Sequence, residues 1–316
     1  MAPPLDRRQV LTGLAGLVGA TLLPAPSLIA ATAPHRLKVG PIDLTVISDG
    51  HLRMPVSFQL PRTPPDQVDA LFKENGLEPP RQFAPATNVA LVRTGDELIL
   101  IDAGAGSQFQ DTAGKLAENL EAAGIDREAI TKVVFTHGHA DHLWGAIDDF
   151  DDSLRFPNAT YVMSGAEWDF WLDTDAHSRL PAFMQSMAQR SARILKRLEP
   201  KMLRAQANEA LAPGLRFMPT LGHTPGHMAV LVESARERLL IVGDALAHAQ
   251  VAFQRPDWPT ASDTDAEAAS ATRKRLLDQL STDRTPMIGF HLPWPGVGQV
   301  ERSGRVHRFV ALQGKF

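Results

Sequence analysis

The chain has 316 residues, of which 44% are hydrophobic and 22% charged, a composition that can bury the core of one or two domains. Its formal net charge of −4 gives no electrostatic reason to expect a nucleic-acid partner. Cysteine is absent, which excludes disulfides, thiolate ligands and a cysteine nucleophile, so any metal must be held by nitrogen and oxygen atoms.

Residues 1–33 predict an export signal rather than part of the fold. Arg7 and Arg8 precede an apolar run rich in Gly and Ala, and Ala31-Thr32-Ala33 has the pattern of a cleavage site. The run is short for a membrane span, so an uncleaved anchor is the less favoured alternative. We expect twin-arginine export and a periplasmic or secreted protein of residues 34–316, folded as one domain with no membrane association after cleavage.

Strands and helices alternate along the mature chain in two similar halves. Apolar runs predict strands at 37–39, 44–47, 88–92, 98–101, 132–135, 160–163, 215–218, 228–232, 239–242, 286–290, 297–300 and 307–312. Helical spacing predicts helices at 65–75, 112–123, 168–171, 181–205 and 264–280. This order favours an α/β (α+β) sandwich of two mixed sheets with helices outside.

Several local features refine this outline. Ser48-Asp49-Gly50 predicts a turn, and residues 53–87, rich in Pro and Arg, predict a long functional loop around one short helix. Asp263 is the expected N-cap of the helix at 264–280. The basic face of the helix at 181–205 is read as solvated rather than as a membrane-binding surface.

The stretch Thr136 to His142 is the strongest chemical signal in the chain. His137, His139, Asp141 and His142 follow a predicted buried strand, and a cluster of this density is rare as packing. Three later strands also end in a metal-type ligand, at His223, Asp244 and His291. Because strand ends meet at one edge of a layered fold, we expect all of these side chains to converge.

Imidazole and carboxylate ligands suit borderline divalent metals, zinc first, with manganese, cobalt or iron as alternatives. Seven ligands exceed what one tetrahedral zinc needs, so the sequence predicts two divalent ions. A carboxylate can bridge a metal pair, which makes Asp244 the expected bridge. No Gly-x-Ser-x-Gly motif offers a serine nucleophile instead.

Taken together, Thr136-His137-x-His139-x-Asp141-His142, Gly222-His223-Thr224-Pro225-Gly226-His227, Gly243-Asp244 and His291 resemble the metallo-β-lactamase superfamily. The resemblance implies an αββα sandwich. It assigns His137, His139 and His223 to one metal and Asp141, His142 and His291 to the other, with Asp244 and a hydroxide bridging them. It also implies that Asp102 supports the ligand loops and that His227 orients its own loop rather than binding metal.

Within the superfamily, segments including 43–50, 156–159 and 169–172 resemble the exported branch of methyl parathion hydrolase and its lactonase relatives. In that branch an aromatic cluster forms the substrate pocket. The matching positions are Phe109, Trp171 and Phe183, and we add His248 as a pocket candidate. The resemblance also suggests a homodimer.

These residues predict a metal-dependent hydrolase of esters or lactones, and also of phosphotriesters such as methyl parathion. Asp244 and Asp141 are the candidate catalytic carboxylates, with Asp244 taking a proton. The expected partner is a small, neutral, partly apolar substrate. Alternatives are a glyoxalase II-type thioesterase, which normally adds a helical domain after the last ligand, and a β-lactamase, which uses Cys or lacks the bridging Asp. An iron-dependent oxidoreductase is the alternative from a different class.

Overall fold

The computed structural model describes residues 32–312, and its first half is built around a seven-stranded mixed sheet. The strands of this half are β1 (His35–Val39), β2 (Ile42–His51), β3 (Met54–Pro55), β4 (Gln82–Phe83), β5 (Ala86–Thr94), β6 (Glu97–Ile101), β7 (Lys132–Val134), β8 (Thr160–Ser164) and β9 (Met202–Ala205). The sheet order is β1-β2-β5-β6-β7-β8-β9, and β3 and β4 form a separate pair. Strands β6 to β9 run parallel, whereas the other pairs are antiparallel.

The second half supplies another seven-stranded sheet. Its strands follow each other in chain order, and only β13 and β14 pair in parallel. They are β10 (Ala210–Ala212), β11 (Leu215–Pro219), β12 (Met228–Ser234), β13 (Glu237–Ile241), β14 (Met287–Ile288), β15 (Val297–Ser303) and β16 (Val306–Ala311).

Helices flank the two sheets. They are α1 (Val56–Gln59), α2 (Pro65–Glu74), α3 (Leu116–Ala122), α4 (Ala140–Leu143), α5 (Gly165–Leu172), α6 (Thr174–Arg179), α7 (Ala182–Leu198), α8 (Val251–Gln254) and α9 (Ala266–Asp283). None of the helices between residues 32 and 312 is long and apolar enough to cross a bilayer. The predicted export signal lies outside the described residues up to position 31.

The core has layers because strand side chains alternate between faces. On β6, Ile99 and Ile101 pack between the sheets with Val230 and Val232 of β12, whereas Leu100 packs outward beneath the helices. Both faces of the central strands are therefore buried, which explains their almost continuous apolar runs. Helices α8 and α9 cover the far face of the second sheet through a separate apolar cluster. The predicted αββα sandwich is confirmed.

Several predicted elements were wrong in detail. Residues 48–50 form the end of β2 rather than a turn. The predicted loop at 53–87 also contains β3, α1 and β4, whereas its predicted short helix at 65–75 is confirmed as α2. The helix predicted for 181–205 ends at Leu198, because Pro200 interrupts it before strand β9. The predicted cap at Asp263 is also wrong, since Asp265 caps α9 by accepting the N–H groups of Glu267 and Ala268.

Candidate metal centre

The seven predicted ligands meet at one edge of the sandwich. His137 and His139 follow β7, and Asp141 and His142 lie in the short helix α4 that comes next. His223 lies in the loop between β11 and β12, Asp244 follows β13, and His291 follows β14. All seven ligands are buried: His137, His139, Asp141, His142, His223, Asp244 and His291. They form two groups, and within each group one potential ligand atom per residue lies within 4.8 Å of the others.

The first group contains three imidazoles and Asp244. Nδ1 of His139 lies 2.9 Å from Nε2 of His137 and 2.9 Å from Nε2 of His223. The outward Nδ1 atoms are held by neighbours, Thr136 Oγ1 at 3.1 Å for His137 and Asp263 Oδ1 at 3.1 Å for His223. Three ring nitrogens thus point to one centre, an arrangement typical of a metal site.

The second group contains Asp141, His142 and His291. Nε2 of His291 lies 3.1 Å from Asp141 Oδ2, and Nε2 of His142 lies 3.5 Å from the same oxygen. The Nδ1 atom of His142 bonds Asp102 at 2.8 Å, and that of His291 bonds the carbonyl of Ala86 at 2.9 Å. Both histidines therefore direct Nε2 at the carboxylate.

Asp244 lies between the two groups. Its Oδ2 is 3.3 Å from Nε2 of His223 and 3.3 Å from Nε2 of His291. Its Oδ1 is 3.1 Å from Nε2 of His142. One carboxylate therefore faces nitrogens of both groups, the position that a bridging ligand between two ions would take.

The polar atoms of this centre are better placed to bind a cation than to form hydrogen bonds with one another. Asp141 Oδ2, His142 Nε2 and Asp244 Oδ1 are buried, yet none makes a hydrogen bond of acceptable geometry with the described residues. Unpaired buried polar atoms are costly unless a ligand satisfies them. These three are all potential ligand atoms, so the residues present fit a pair of divalent metal ions.

Charge compensation supports the same conclusion. Burial and the neighbouring His223 lower the pKa of His139 to about 3. Burial also opposes protonation of His223 and His291, but the adjacent carboxylates raise their pKa values to about 9 and about 10. Burial would raise the pKa of Asp244, but His291 and His142 hold it well below its usual range. The carboxylates therefore favour positive charge at His223 and His291, whereas burial keeps His139 neutral.

Asp102 connects β6 to the ligand loop. It has a positive φ of 66°, unusual for a residue other than glycine. Its Oδ1 accepts the backbone N–H of Thr136, and its Oδ2 accepts the hydroxyl of Thr136 and faces Nδ1 of His142. The structure therefore places Asp102 against the ligand loop, where the resemblance assigned it.

His227 lies beside the centre but in neither ligand group. Its Nε2 accepts the backbone N–H of Asp244 at 3.1 Å, so the ring proton is on Nδ1, which faces Thr220 Oγ1 at 2.8 Å. Burial lowers its pKa well below the usual value, which keeps the ring neutral. His227 therefore positions the turn that carries Asp244.

Asp263 belongs to the site, although its sequence position suggested a helix cap. Its Oδ1 bonds Nδ1 of His223, and its Oδ2 accepts a hydrogen bond from the guanidinium of Arg273 at 2.9 Å. Arg273 in α9 also donates to the carbonyls of Pro256 and Trp258. Helix α9 thereby orients a metal-type ligand through one buried ion pair.

A cavity of about 390 Å³ opens over the centre and reaches His139, Asp141, His223, Asp244 and His291. Most of its walls are apolar, and many come from the segment for which the sequence predicted a loop, including Met54, Phe58, Leu60 and Phe83. Phe109, Phe183 and His248 line the cavity as well. Phe183 contacts Phe58 edge to face, with ring centroids 4.7 Å apart.

Trp171 does not line this cavity, so its predicted pocket role was wrong. The side chain is 1% exposed and lies behind His139, with ring centroids 5.5 Å apart. Its indole N–H donates to the carboxylate of Glu167. The helical pattern of α5 could not distinguish these outcomes, because both faces of this helix carry aromatic residues.

His248 is fixed as a neutral donor. Its Nδ1 accepts the backbone N–H groups of Gln250 and Val251 at 3.2 and 3.3 Å, which places the proton on Nε2. Burial lowers the pKa of this ring to about 4, and Phe83 packs against it at 4.4 Å. The wall of the cavity therefore contains a neutral N–H donor.

Comparison with known proteins agrees with this architecture. AidC, a dizinc quorum-quenching lactonase, has 29% identity and a TM-score of 0.83, covering 89% of this chain and 98% of AidC. The hydrolase AbOPH of the beta lactamase superfamily has 26% identity and a TM-score of 0.82, covering 91% of this chain and 100% of AbOPH. A probable metallo-hydrolase of Mycobacterium bovis is 24% identical over 213 residues, which span 60% of this chain and only 66% of that protein.

The family model of the metallo-beta-lactamase superfamily matches residues 84–289. This region contains the strands that precede every ligand, and it ends two residues before His291. The match, the two mixed sheets and the paired ligand groups agree with each other. The chain therefore belongs to the metallo-β-lactamase superfamily and is a metallo-hydrolase of that fold.

Proposed function

We propose that the protein is a dinuclear metal hydrolase that cleaves lactones and other carboxylic esters, with phosphotriesters such as methyl parathion as further substrates. The observation that carries the proposal is the position of Asp244, whose carboxylate faces histidine nitrogens of both ligand groups. The similarity to AidC, a dizinc lactonase, supports lactones as the first substrate class to test.

His137, His139 and His223 would hold one ion, and Asp141, His142 and His291 the other, with Asp244 shared. Zinc is our first choice, because the ligands are imidazoles and carboxylates. Two bound divalent ions supply a nucleophile from water near neutral pH and withdraw electron density from a carbonyl or phosphoryl oxygen.

The remaining steps are assigned to side chains of the chain itself. We assign to Asp244 the proton released when water is consumed, because its carboxylate lies between the two ligand groups, with Oδ1 3.1 Å from Nε2 of His142. Nε2 of His248 carries a proton in the cavity wall and is suited to donate a hydrogen bond to a substrate oxygen. Neither assignment requires a charged substrate.

The cavity supports a neutral, partly apolar substrate. Phe58, Phe109 and Phe183 contribute aromatic surface, and Met184 and Met187 add flexible apolar contacts. An ester with an aryl or alkyl group would transfer apolar surface from water into these walls. A thioester of a large charged thiol or a cephalosporin carboxylate would gain less from them.

A substrate panel tests this proposal. The zinc-loaded protein is assayed with an aryl lactone, an N-acyl homoserine lactone, a phenyl ester, methyl paraoxon, a thioester and a chromogenic cephalosporin. We expect hydrolysis of lactones or phenyl esters, with Asp244→Ala protein as the inactive control. Turnover of the cephalosporin or the thioester alone would contradict the proposal.

Export and assembly are proposed on the sequence alone. We infer that the twin-arginine signal of residues 1–33 directs the protein to the periplasm or outside the cell. Replacement of both Arg7 and Arg8 by Lys should leave the protein uncleaved in the cytoplasm, as cell fractionation and N-terminal sequencing would report. A homodimer is likewise proposed, and light scattering of the purified protein at several concentrations tests it.

A further inference from the structure

Glu167 is a buried carboxylate that belongs to neither ligand group. It lies in α5, and its side chain is 0% exposed to solvent. A carboxylate is rarely buried unless several donors compensate the loss of water. The donors around Glu167 are therefore informative about its role.

Each oxygen of Glu167 binds a different loop. Oε1 accepts the backbone N–H of Gly138 at 2.8 Å, together with the indole N–H of Trp171. Oε2 accepts the hydroxyl of Thr224 at 2.7 Å and the backbone N–H of Gly226 at 2.9 Å. Four donors thus satisfy one carboxylate, with two on each oxygen.

These two loops carry the three imidazoles of the first ligand group. Gly138 lies between His137 and His139, and Thr224 directly follows His223. The ring nitrogens of His139 and His223 that must share a metal are 2.9 Å apart. Glu167 joins the two backbones without lining the cavity itself.

Close packing reinforces the connection. A Cβ atom on Gly226 would lie 2.1 Å from the backbone nitrogen of Glu167, and one on Gly138 would lie 2.4 Å from Nε1 of Trp171. Ser164, the N-cap of α5, accepts the N–H of Glu167 and donates its hydroxyl to the carbonyl of Gly226. Both loops are therefore held against α5 with no space to move toward it.

We propose that Glu167 is a positioning residue that sets the separation of the loops bearing His137, His139 and His223, so that the three imidazoles can share one metal ion. The inference rests on the metal binding assigned under the proposed function. It is independent of which ester or lactone the enzyme cleaves. A role in packing alone would instead lower the stability of the fold without a selective effect on one metal.

The test measures zinc affinity at each site separately. Competition with a chromophoric chelator is carried out on His291→Ala protein, which keeps the first group intact, and on His223→Ala protein, which keeps the second. Glu167→Gln is then added to each, because glutamine preserves the volume but presents an NH₂ group to donors. Asp169→Asn, at an exposed position of the same helix, removes the same charge as a control.

We expect Glu167→Gln to weaken zinc binding at the first site by about 10- to 100-fold, the range typical of residues that orient a ligand. Binding at the second site should change less than about twofold, and Asp169→Asn should alter neither. Should Glu167→Gln not fold, Trp171→Phe removes a single donor and should produce a smaller fall at the same site.

Equal affinities with and without Glu167→Gln, or equal losses at both sites, would overturn the inference. Protein with native Glu167 that binds no zinc at all would overturn the proposed function instead. The two failures are therefore distinguishable before any substrate is added.

Discussion

At the scale of single residues, the centre is organised by what the outward ring nitrogen contacts in four of its five imidazoles. Nδ1 of His137, His142, His223 and His291 faces, in turn, Thr136, Asp102, Asp263 and the carbonyl of Ala86. A hydrogen bond at one ring nitrogen fixes the tautomer and orients the other nitrogen toward the metal position. These contacts orient four of the five imidazoles before an ion binds, whereas the outward Nε2 of His139 makes no hydrogen bond with the described residues.

Replacement of Asp263 by Asn should weaken this support. The amide can retain an oxygen for His223 only by turning its NH₂ group toward Arg273, which leaves a buried guanidinium without its ionic partner. We expect about a 10- to 100-fold loss of metal affinity in chelator competition.

Asp265→Asn is the matched control for that variant. It removes the same charge two residues away, and asparagine caps a helix as well as aspartate does. Its metal affinity and unfolding temperature should equal those of the parent protein. If both variants lost affinity equally, the assignment of Asp263 to His223 would be wrong.

Replacement of Asp244 by Ala should abolish more than one function. The variant loses the carboxylate that faces both ligand groups and the oxygen proposed to accept a proton. We expect kcat for lactone hydrolysis to fall by at least about 100-fold, within the range for loss of a general base. Full metal content together with full activity in the variant would refute both roles.

At the scale of secondary structure elements, Asp49 shows how a strand end holds a loop. Asp49 is 0% exposed, and its carboxylate accepts the backbone N–H groups of Ala105, Gly114 and Leu116. These bonds fasten the segment between β6 and α3 onto β2. That segment contributes Phe109 and Gln110 to the cavity.

Asp49→Asn should therefore destabilise the fold without removing a ligand. Both carboxylate oxygens accept N–H groups, so an amide must turn its own NH₂ toward a donor and lose at least one bond. We expect a decrease of about 2 kcal/mol in the free energy of unfolding, typical of a bond to a charged group. Urea denaturation measures it.

Asp43→Asn is the control on the same strand. Asp43 forms a half-exposed ion pair with Lys38, which is worth at most about 1 kcal/mol. A loss of stability at position 49 no greater than that at position 43 would show that the three N–H contacts contribute little.

The sequence predicted elements best where a short pattern determines them. The strand before His137 and the ligands within the next few residues are local, so spacing sufficed. Strand β9 was missed because Leu203 and Arg204 continue the helical composition of α7, and only Pro200 marks the change. The sequence predicted a turn at Asp49 because the N–H groups that bind its carboxylate lie more than fifty positions away.

The roles of site residues outside the ligand motifs also depend on partners that are distant in the sequence. Asp263 was the predicted cap of α9, and its actual role depends on where Arg273 and His223 lie after folding. Glu167 did leave a local signal, as a charged residue four positions before a tryptophan in an apolar helix. Its partners Gly138 and Gly226, however, come from loops that only the tertiary structure brings together.

At the scale of the whole molecule, the centre lies where the two sheets meet. The backbone N–H of Met228 in the second sheet donates to the carbonyl of Thr136 beside the first sheet. The backbone N–H of Asn88 in the first sheet donates to the carbonyl of Phe290 beside the second. His137 and His142 follow the first sheet, whereas His223, Asp244 and His291 come from the second. Bound metals would therefore link both halves of the sandwich.

Removal of metal should consequently lower the stability of the entire fold. An ion that binds only the native state stabilises it by about 4 kcal/mol when its free concentration is 1,000 times its dissociation constant. Calorimetry with and without a chelator should show a clear fall in the unfolding temperature, reversed by added zinc. The combined His223→Ala and His291→Ala variant should be insensitive to the chelator, and an unchanged temperature in the parent protein would contradict the link.

The most direct test of the proposed dinuclear hydrolase activity is a titration of metal-free protein with zinc while lactone hydrolysis and oxygen uptake are followed together. The proposed function predicts that hydrolysis reaches its plateau at about two ions per chain, since Asp244 of the first ligand group also faces His142 of the second. The proposal also predicts no oxygen uptake with any metal. A plateau at one ion per chain, or activity only with iron and with oxygen consumed, would contradict the account.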